Sequence, residues 1–255
     1  MKKVMITILA SLTLVSATPV MAASSFSDVP ETNWAAPAIT FMVDKQIVSG
    51  YSDGTFKPEK PVTKAEFVHM YHKLFPNAGG PTTNPPNFVD LKGNWAAKDF
   101  IALFGDHAWD FADHYSTDGK KAYLTPDKQL TRWDVAMLTG ILNEEINATV
   151  NENRESIVEP DDVLAKLATF KDIKLRPAVG FEYPGLFTPV ILTEKYSSGL
   201  GYAGDEANMK AVYLYSLIQK DIMTGSTDRF RPTDKVTRAE AVTILQRLYT
   251  VLENK

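Results

Sequence analysis

Cysteine is absent from all 255 residues, so no disulfide can form and stability has to come from packed elements. Long apolar runs are missing too: only Val4 to Ala17 is continuous enough to notice, and it is shorter than the ~20 residues a membrane-spanning helix needs. Positive charge is in deficit, with 27 Lys and Arg against 31 Asp and Glu. A mildly acidic chain is a poor partner for nucleic acid or anionic lipid, so an anionic ligand would have to be met by a local site. No nucleophile motif and no paired-carboxylate pattern points to catalysis, and nothing calls for a cofactor.

The first residues have a definite order. Lys2 and Lys3 precede the apolar run, and Thr18-Pro19 and the small-residue stretch Val20-Met21-Ala22-Ala23 follow it. This is the pattern of a secretory signal peptide, residues 1–22, with cleavage after Ala22. Its loss removes two lysines and no acid, taking the formal charge from −4 to −6. The expectation is an exported protein with no membrane insertion after cleavage.

An internal repeat organises the rest. The first copy, residues 26–75, opens Phe26-Ser27-Asp28-Val29 and reaches Trp34-Ala35. It continues to Gly50-Tyr51-Ser52-Asp53-Gly54-Thr55-Phe56-Lys57-Pro58 and closes with Val62-Thr63-Lys64-Ala65-Glu66 and an apolar stretch. The second, 88–142, opens Phe88-Val89-Asp90-Leu91, has Trp95-Ala96 in the matching place, diverges in its middle, and closes with Pro126 and Leu130-Thr131-Arg132-Trp133-Asp134. The third, 170–250, opens Phe170-Lys171-Asp172-Ile173, is interrupted by a segment at 175–208, and resumes with Gly225 to Pro232 and Val236-Thr237-Arg238-Ala239-Glu240.

Each copy reads as helix, loop, helix. Ala38, Ile39, Phe41, Met42 and Val43 predict a helix from about Ala35 to Val48, with Pro37 in its first turn and Gly50 as its stop. Asp53-Gly54 predicts a turn. Ala241, Ile244, Leu245, Leu248, Val251 and Leu252 give an amphipathic closing helix. One such hairpin cannot bury its apolar face alone; three stacked about a common axis would. Residues 77–87 read as a linker, 143–159 as a polar connector beginning as a helix extension, and the insertion as functional or a small subdomain with a β-prone run at Thr188 to Thr193.

The closing motif has chemistry of its own. Thr63 with Glu66 and Thr237 with Glu240 match the capping box, and Thr131 with Asp134 is a weaker version of it. Lys64, Arg132 and Arg238 then fall at the first helical position, where a cation is mildly unfavourable, by about 0.3 to 1 kcal/mol. One explanation is a carboxylate or phosphate site made of free helix N–H groups and the cation; the other is a pairing with an acid across the repeat interface, or plain exposure to water. Trp34 and Trp95 are stacking surfaces for a sugar ring or, as is commoner, packing residues. Two histidine groups also stand at ligand spacing, His107 with Asp110 and His114 on one helical face and His69 with His72, but the plainer reading is a solvated helix and interface residues, with no metal.

The Phe-x-Asp-Val opening, the Trp-Ala helix start, the Gly-Tyr-x-Asp-Gly-x-Phe-x-Pro loop and the Val-Thr-Arg-Ala-Glu ending together resemble the S-layer homology module, which typically occurs in threes. The resemblance implies a mainly α fold, with three helix-loop-helix modules in a pseudo-threefold, three-lobed arrangement around a central helical bundle. It implies a non-enzymatic, secreted protein of the cell surface that binds secondary cell-wall polysaccharide, in many cases pyruvylated, in grooves between modules. By the same likeness Lys64, Arg132 and Arg238 are the first binding candidates, with Asp53, Gly54, Asp228, Trp34 and Trp95 beside them. Peptidoglycan or a protein partner are the alternatives. Lys64 departs from the usual Arg and loses its bidentate fork, Trp133-Asp134 replaces Ala-Glu, and copy two lacks the Gly-Tyr-x-Asp-Gly loop, so unequal sites are expected.

Overall fold

The computed structural model describes residues 26–79, 87–105, 112–118, 120–143, 146, 160–177, 190–192 and 206–253. The segment with the signal-peptide pattern lies outside them, as do most of the two connectors and most of the insertion. The described helices are α1 (Ala36–Asp44), α2 (Lys64–Leu74), α3 (Ala97–Phe104), α4 (Arg132–Leu142), α5 (Pro160–Leu167), α6 (Glu206–Gln219) and α7 (Arg238–Glu253). Strand is confined to short pieces. β1 (Asn87–Phe88) runs parallel to β3 (Lys121–Tyr123), which pairs antiparallel with β2 (His114–Tyr115). In the insertion, β4 (Leu175–Pro177) pairs antiparallel with β5 (Val190–Leu192), Arg176 opposite Ile191. The fold is mainly α, and no helix among the described residues is long and apolar enough to cross a membrane.

In α1 the apolar positions Ala38, Ile39 and Met42 lie on one face and are buried, and Pro37 is tolerated because a first-turn residue has no intrahelical N–H bond to lose. The helix ends earlier than its apolar run. Gln46 takes a left-handed φ of 58°, and the N–H groups of Ile47 and Val48 both turn back to the carbonyl of Met42. This swings Ile47 into the core. Gly50 is therefore not the stop: a Cβ there would lie 2.2 Å from the ring of Phe26, and one on Gly225 would lie 2.3 Å from the ring of Phe170. The opening phenylalanine of each of these copies occupies the room a side chain would take.

The three closing motifs meet in a ring of backbone hydrogen bonds. Val62 N–H donates to Val236 O (2.9 Å), Val236 N–H to Leu130 O (3.0 Å), and Leu130 N–H to Val62 O (3.0 Å). These are the residues just ahead of each capping threonine, so the closing motifs are tied head to tail. The helices follow the same order: α2 packs against α3, α4 against α6, and α7 against α1. Each closing helix thus buries its apolar face on the opening helix of the next copy, with the last returning to the first. One continuous core runs through all three, with Phe56, Leu124 and Phe230 fully buried at corresponding places. Full burial of each side chain contributes about 1.5–3 kcal/mol.

The aspartate of each Phe-x-Asp opening has a structural task that its sequence position does not disclose. Asp28 accepts from the N–H groups of Phe56 and Lys57, Asp90 from Leu124 and Thr125, and Asp172 from Phe230 and Arg231. Lys57, Thr125 and Arg231 all hold positive φ, at 58°, 44° and 59°, and each precedes a proline. That conformation costs a non-glycine residue about 1–2 kcal/mol, and a proline disfavours helical ψ in the residue before it. Two charge-assisted hydrogen bonds offset the cost in every copy.

One expectation for the connector needs correction. The helix does not extend past Leu142: Asn143 is buried, turns its Nδ2 back to Thr139 O and accepts from the Tyr71 hydroxyl at 2.9 Å, and so terminates α4. Beyond the connector, where no element is predicted, α5 forms with ordinary helix signals: Pro160 at its start, Asp161 and Asp162 in its first turn and Lys166 in its last.

Candidate functional site

The sequence suggests anion sites with free N–H groups at the starts of α2, α4 and α7. Those groups are taken. In α2 the N–H of Lys64 donates to Lys128 O and that of Ala65 to Pro126 O, while Thr63 Oγ1 accepts from Glu66. In α4, Arg132 N–H donates to Asp234 O, Trp133 to Pro232 O, and Asp134 to Thr131 Oγ1. In α7, Arg238 donates to Lys60 O, Ala239 to Pro58 O, and Glu240 to Thr237 Oγ1. The reciprocal bonds from Thr63, Thr131 and Thr237 N–H to the acid three residues on are present in all three, so Asp134 completes the box as fully as glutamate does. The neighbouring copy's carbonyls stand where an anion is expected.

The cations are largely occupied as well. Arg238, 8% exposed, donates from Nε to Phe56 O (3.0 Å) and from Nη2 to Ser49 O (3.2 Å). Arg132, 4% exposed, donates in the same manner to Phe230 O (2.8 Å) and Thr224 O (2.6 Å), with Glu240 3.4 Å from Nη1. Burial pushes the pKa of Arg132 down, against the pull of Glu240. Each guanidinium fork locks the loop of one copy to the helix start of another, a geometry a lysine could not reproduce. Lys64 is 1% exposed and pairs with Asp113 at 3.1 Å; burial holds its pKa below the ordinary lysine value despite that partner.

Both arginines still line open grooves, and each groove carries a tryptophan. The first, about 520 Å³, lies among Ser49, Gly50, Glu66, His69, Trp95 and Arg238. The second, about 270 Å³, lies among Thr224, Gly225, Glu240, Thr243, Trp34 and Arg132. These residues correspond one for one: a loop glycine and the residue before it, the capping-box glutamate, the residue one turn later, the arginine of the preceding closing motif and the tryptophan that opens the next helix. Trp34 and Trp95 are each 60% exposed, so the packing role commoner for such a residue does not apply. Both stand at the very start of a helix, outside its buried face. His69 meets the edge of Trp95 at 5.2 Å between ring centroids and steadies it.

A family model of the S-layer homology domain matches residues 25–68 and 210–242. The chain carries S-layer homology domain sequence in these two stretches. Its relatives include the cellulosome-anchoring protein of Acetivibrio thermocellus, 35% identical over 77 residues that cover 29% of this chain and 17% of that protein. An S-layer protein of Bacillus licheniformis is 32% identical over 52% of this chain and 15% of its own length. Exoglucanase XynX of Acetivibrio thermocellus is 30% identical over 64% of this chain and 15% of its own length. The chain therefore spans less than a fifth of these relatives. The domain match and these relatives place it at the cell surface, associated with the wall.

The remaining candidates are held as follows. Asp53 accepts from Thr55 N–H and Oγ1, bonds that hold its carboxyl below the usual range, and Gly54 supplies a φ of +79° with open space around it. Both shape the turn that the sequence predicts. Asp228 pairs with Lys171 at 2.7 Å on the surface. His69 and His72 share Asp99 of α3, at 2.8 Å and 2.7 Å from their Nδ1 atoms, across the α2–α3 interface. His107 and Asp110 lie outside the described residues, and His114 stands in a strand, stacked on Tyr123 at 4.4 Å, so it is not on a helix at all. No group of three or more His, Cys, Asp or Glu able to hold a metal occurs among the described residues.

Proposed function

We propose that the chain anchors non-covalently to the cell wall by taking an anionic wall polysaccharide into the two tryptophan grooves between its modules, with no catalytic step of its own. The observation that carries this reading is the twofold occurrence of one arrangement: an indole standing 60% exposed beside a recessed arginine, once with Trp95 and Arg238 and once with Trp34 and Arg132. An exposed indole is the stacking partner of a pyranose ring, apolar on its face and hydrogen-bonding at its edge. A guanidinium fixed by two carbonyls is pre-oriented toward a carboxylate, such as that of a pyruvate ketal, at little further cost in entropy. Three modules, at 26–75, 88–142 and 170–250, supply the framework. The helix starts are structural in this reading, and the grooves are the sites.

Co-sedimentation with purified host sacculi tests it, before and after hydrofluoric acid strips the secondary polysaccharide. Retention that disappears with the polysaccharide is the expected result. Retention that survives stripping replaces the polysaccharide with peptidoglycan, and no retention at all rejects wall anchoring.

A further inference from the structure

The modules can be superposed through their hydrogen bonds. Tyr51, Asp113 and Ser226 each donate N–H to the carbonyl two residues ahead of the left-handed residue, that of Thr55, Tyr123 and Arg229, at 2.8, 2.8 and 2.9 Å. The divergent middle of the second module is therefore the same loop with the β2–β3 hairpin inserted, not a lost one. It puts the carboxylate of Asp113 where the first module has a phenol and the third a hydroxyl. Lys128 corresponds in turn to Lys60: one bonds Asp113 and Asp134 at 2.9 and 3.2 Å, the other the Tyr51 hydroxyl and Glu66 at 3.2 and 3.0 Å.

The result is a buried charge cluster in the second module. Asp113 accepts from Lys64 at 3.1 Å, from Lys128 at 2.9 Å and from the Thr125 hydroxyl. The side chains of Lys64 and Asp113 are 1% and 6% exposed, and Lys128, at 26%, leaves one edge open to water. In the first module the corresponding cation, Arg238, lies 5.2 Å from the neutral Tyr51 ring; in the third, Arg132 lines a groove with Ser226. The sequence differs as well: Trp34 stands twelve residues before the left-handed Gln46, and the residue twelve before the left-handed Asp221 is a methionine, not a tryptophan.

We propose that the chain completes its own second-module site: the Asp113 carboxylate occupies the place where a ligand carboxylate would meet Lys64, so this position is closed and only the two tryptophan grooves take ligand. The inference rests on the anionic-ligand reading of those grooves. Its test uses no glycan, so the two can fail separately.

Thermal unfolding of the full chain is followed by circular dichroism in sodium acetate and in sodium chloride of equal ionic strength. Asp113→Ala takes the shared carboxylate from Lys64 and Lys128, leaves Lys128 with Asp134, and opens a space one acetate fills. Its midpoint in chloride should fall by about 10 °C, and acetate should restore several degrees, while wild type and Lys64→Met/Asp113→Ala melt alike in the two salts. If Asp113→Ala does not fold in chloride, recovery of helical signal in acetate is the supporting result. Equal behaviour of Asp113→Ala in the two salts, folded or unfolded, or an acetate effect that persists in the double variant, overturns the proposal.

Discussion

Replacing Arg238 separates the two tasks the structure gives it. Arg238→Met keeps most of the apolar stem and removes the guanidinium that bonds Phe56 O and Ser49 O and lies 4.5 Å over the Phe56 ring. A hydrogen bond to a charged group contributes about 1.5–3 kcal/mol and a partly desolvated cation–π contact about 0.5–2 kcal/mol. Water from the groove can reach the freed carbonyls, which reduces the penalty, so a net loss of about 3 kcal/mol is expected. For a chain of this size that lowers the melting midpoint by roughly 6–12 °C. Lys64→Met should cost less, about 1 kcal/mol, because burial already disfavours the Lys64 charge and Asp113 keeps Lys128 as partner. Differential scanning calorimetry of the two variants decides the matter. A midpoint for Arg238→Met within 2 °C or so of wild type, or a larger loss for Lys64→Met, would refute the argument that the arginine fork locks the module interface.

Trp34→Ala and Trp95→Ala should change stability by no more than about 0.5 kcal/mol, being surface truncations, yet each should lower retention on sacculi; equal retention removes the stacking role. Glu66 is held below the ordinary carboxylate value near 4.5: burial raises it, but the Thr63 N–H and Lys60 outweigh burial. A depressed pKa in the folded state stabilises above the unfolded value and loses that contribution as pH falls through the folded one. Glu66→Gln should accordingly flatten the acid limb of the midpoint against pH below about pH 5, and an unchanged limb contradicts the assignment. Gly140→Ala should destabilise by about 1–3 kcal/mol, since its Cβ would lie 2.6 Å from Tyr213 Cβ in the α4–α6 contact, as read from denaturant midpoints.

The repeat, the helix-loop-helix order and the capping residues are legible in the sequence because each depends on near neighbours: Thr63 and Glu66, or Pro37 in a first turn, settle their geometry within four residues. The role of the openings is not, since Asp28 reaches Lys57 and Asp172 reaches Arg231 only through the folded loop. A constant aspartate ahead of a constant X-Pro is the available signal. The helix starts mislead for the same reason in reverse: locally the N–H groups are free, and only the ring of modules supplies Lys128 O, Asp234 O and Lys60 O. Trp34 and Trp95 are ambiguous because helix periodicity says nothing about a residue standing just outside the helix. The second module looks degenerate in sequence, yet its loop keeps the bonds of the others around an inserted hairpin.

The central claim is that two grooves, each an indole beside a fixed arginine, hold the wall glycan. Isothermal titration of anionic glycan released from host walls into wild type and into Trp34→Ala/Trp95→Ala addresses it most directly. Saturation at two glycan sites per chain for wild type and no measurable binding by the folded double variant is the predicted result; undiminished binding by the double variant would contradict it.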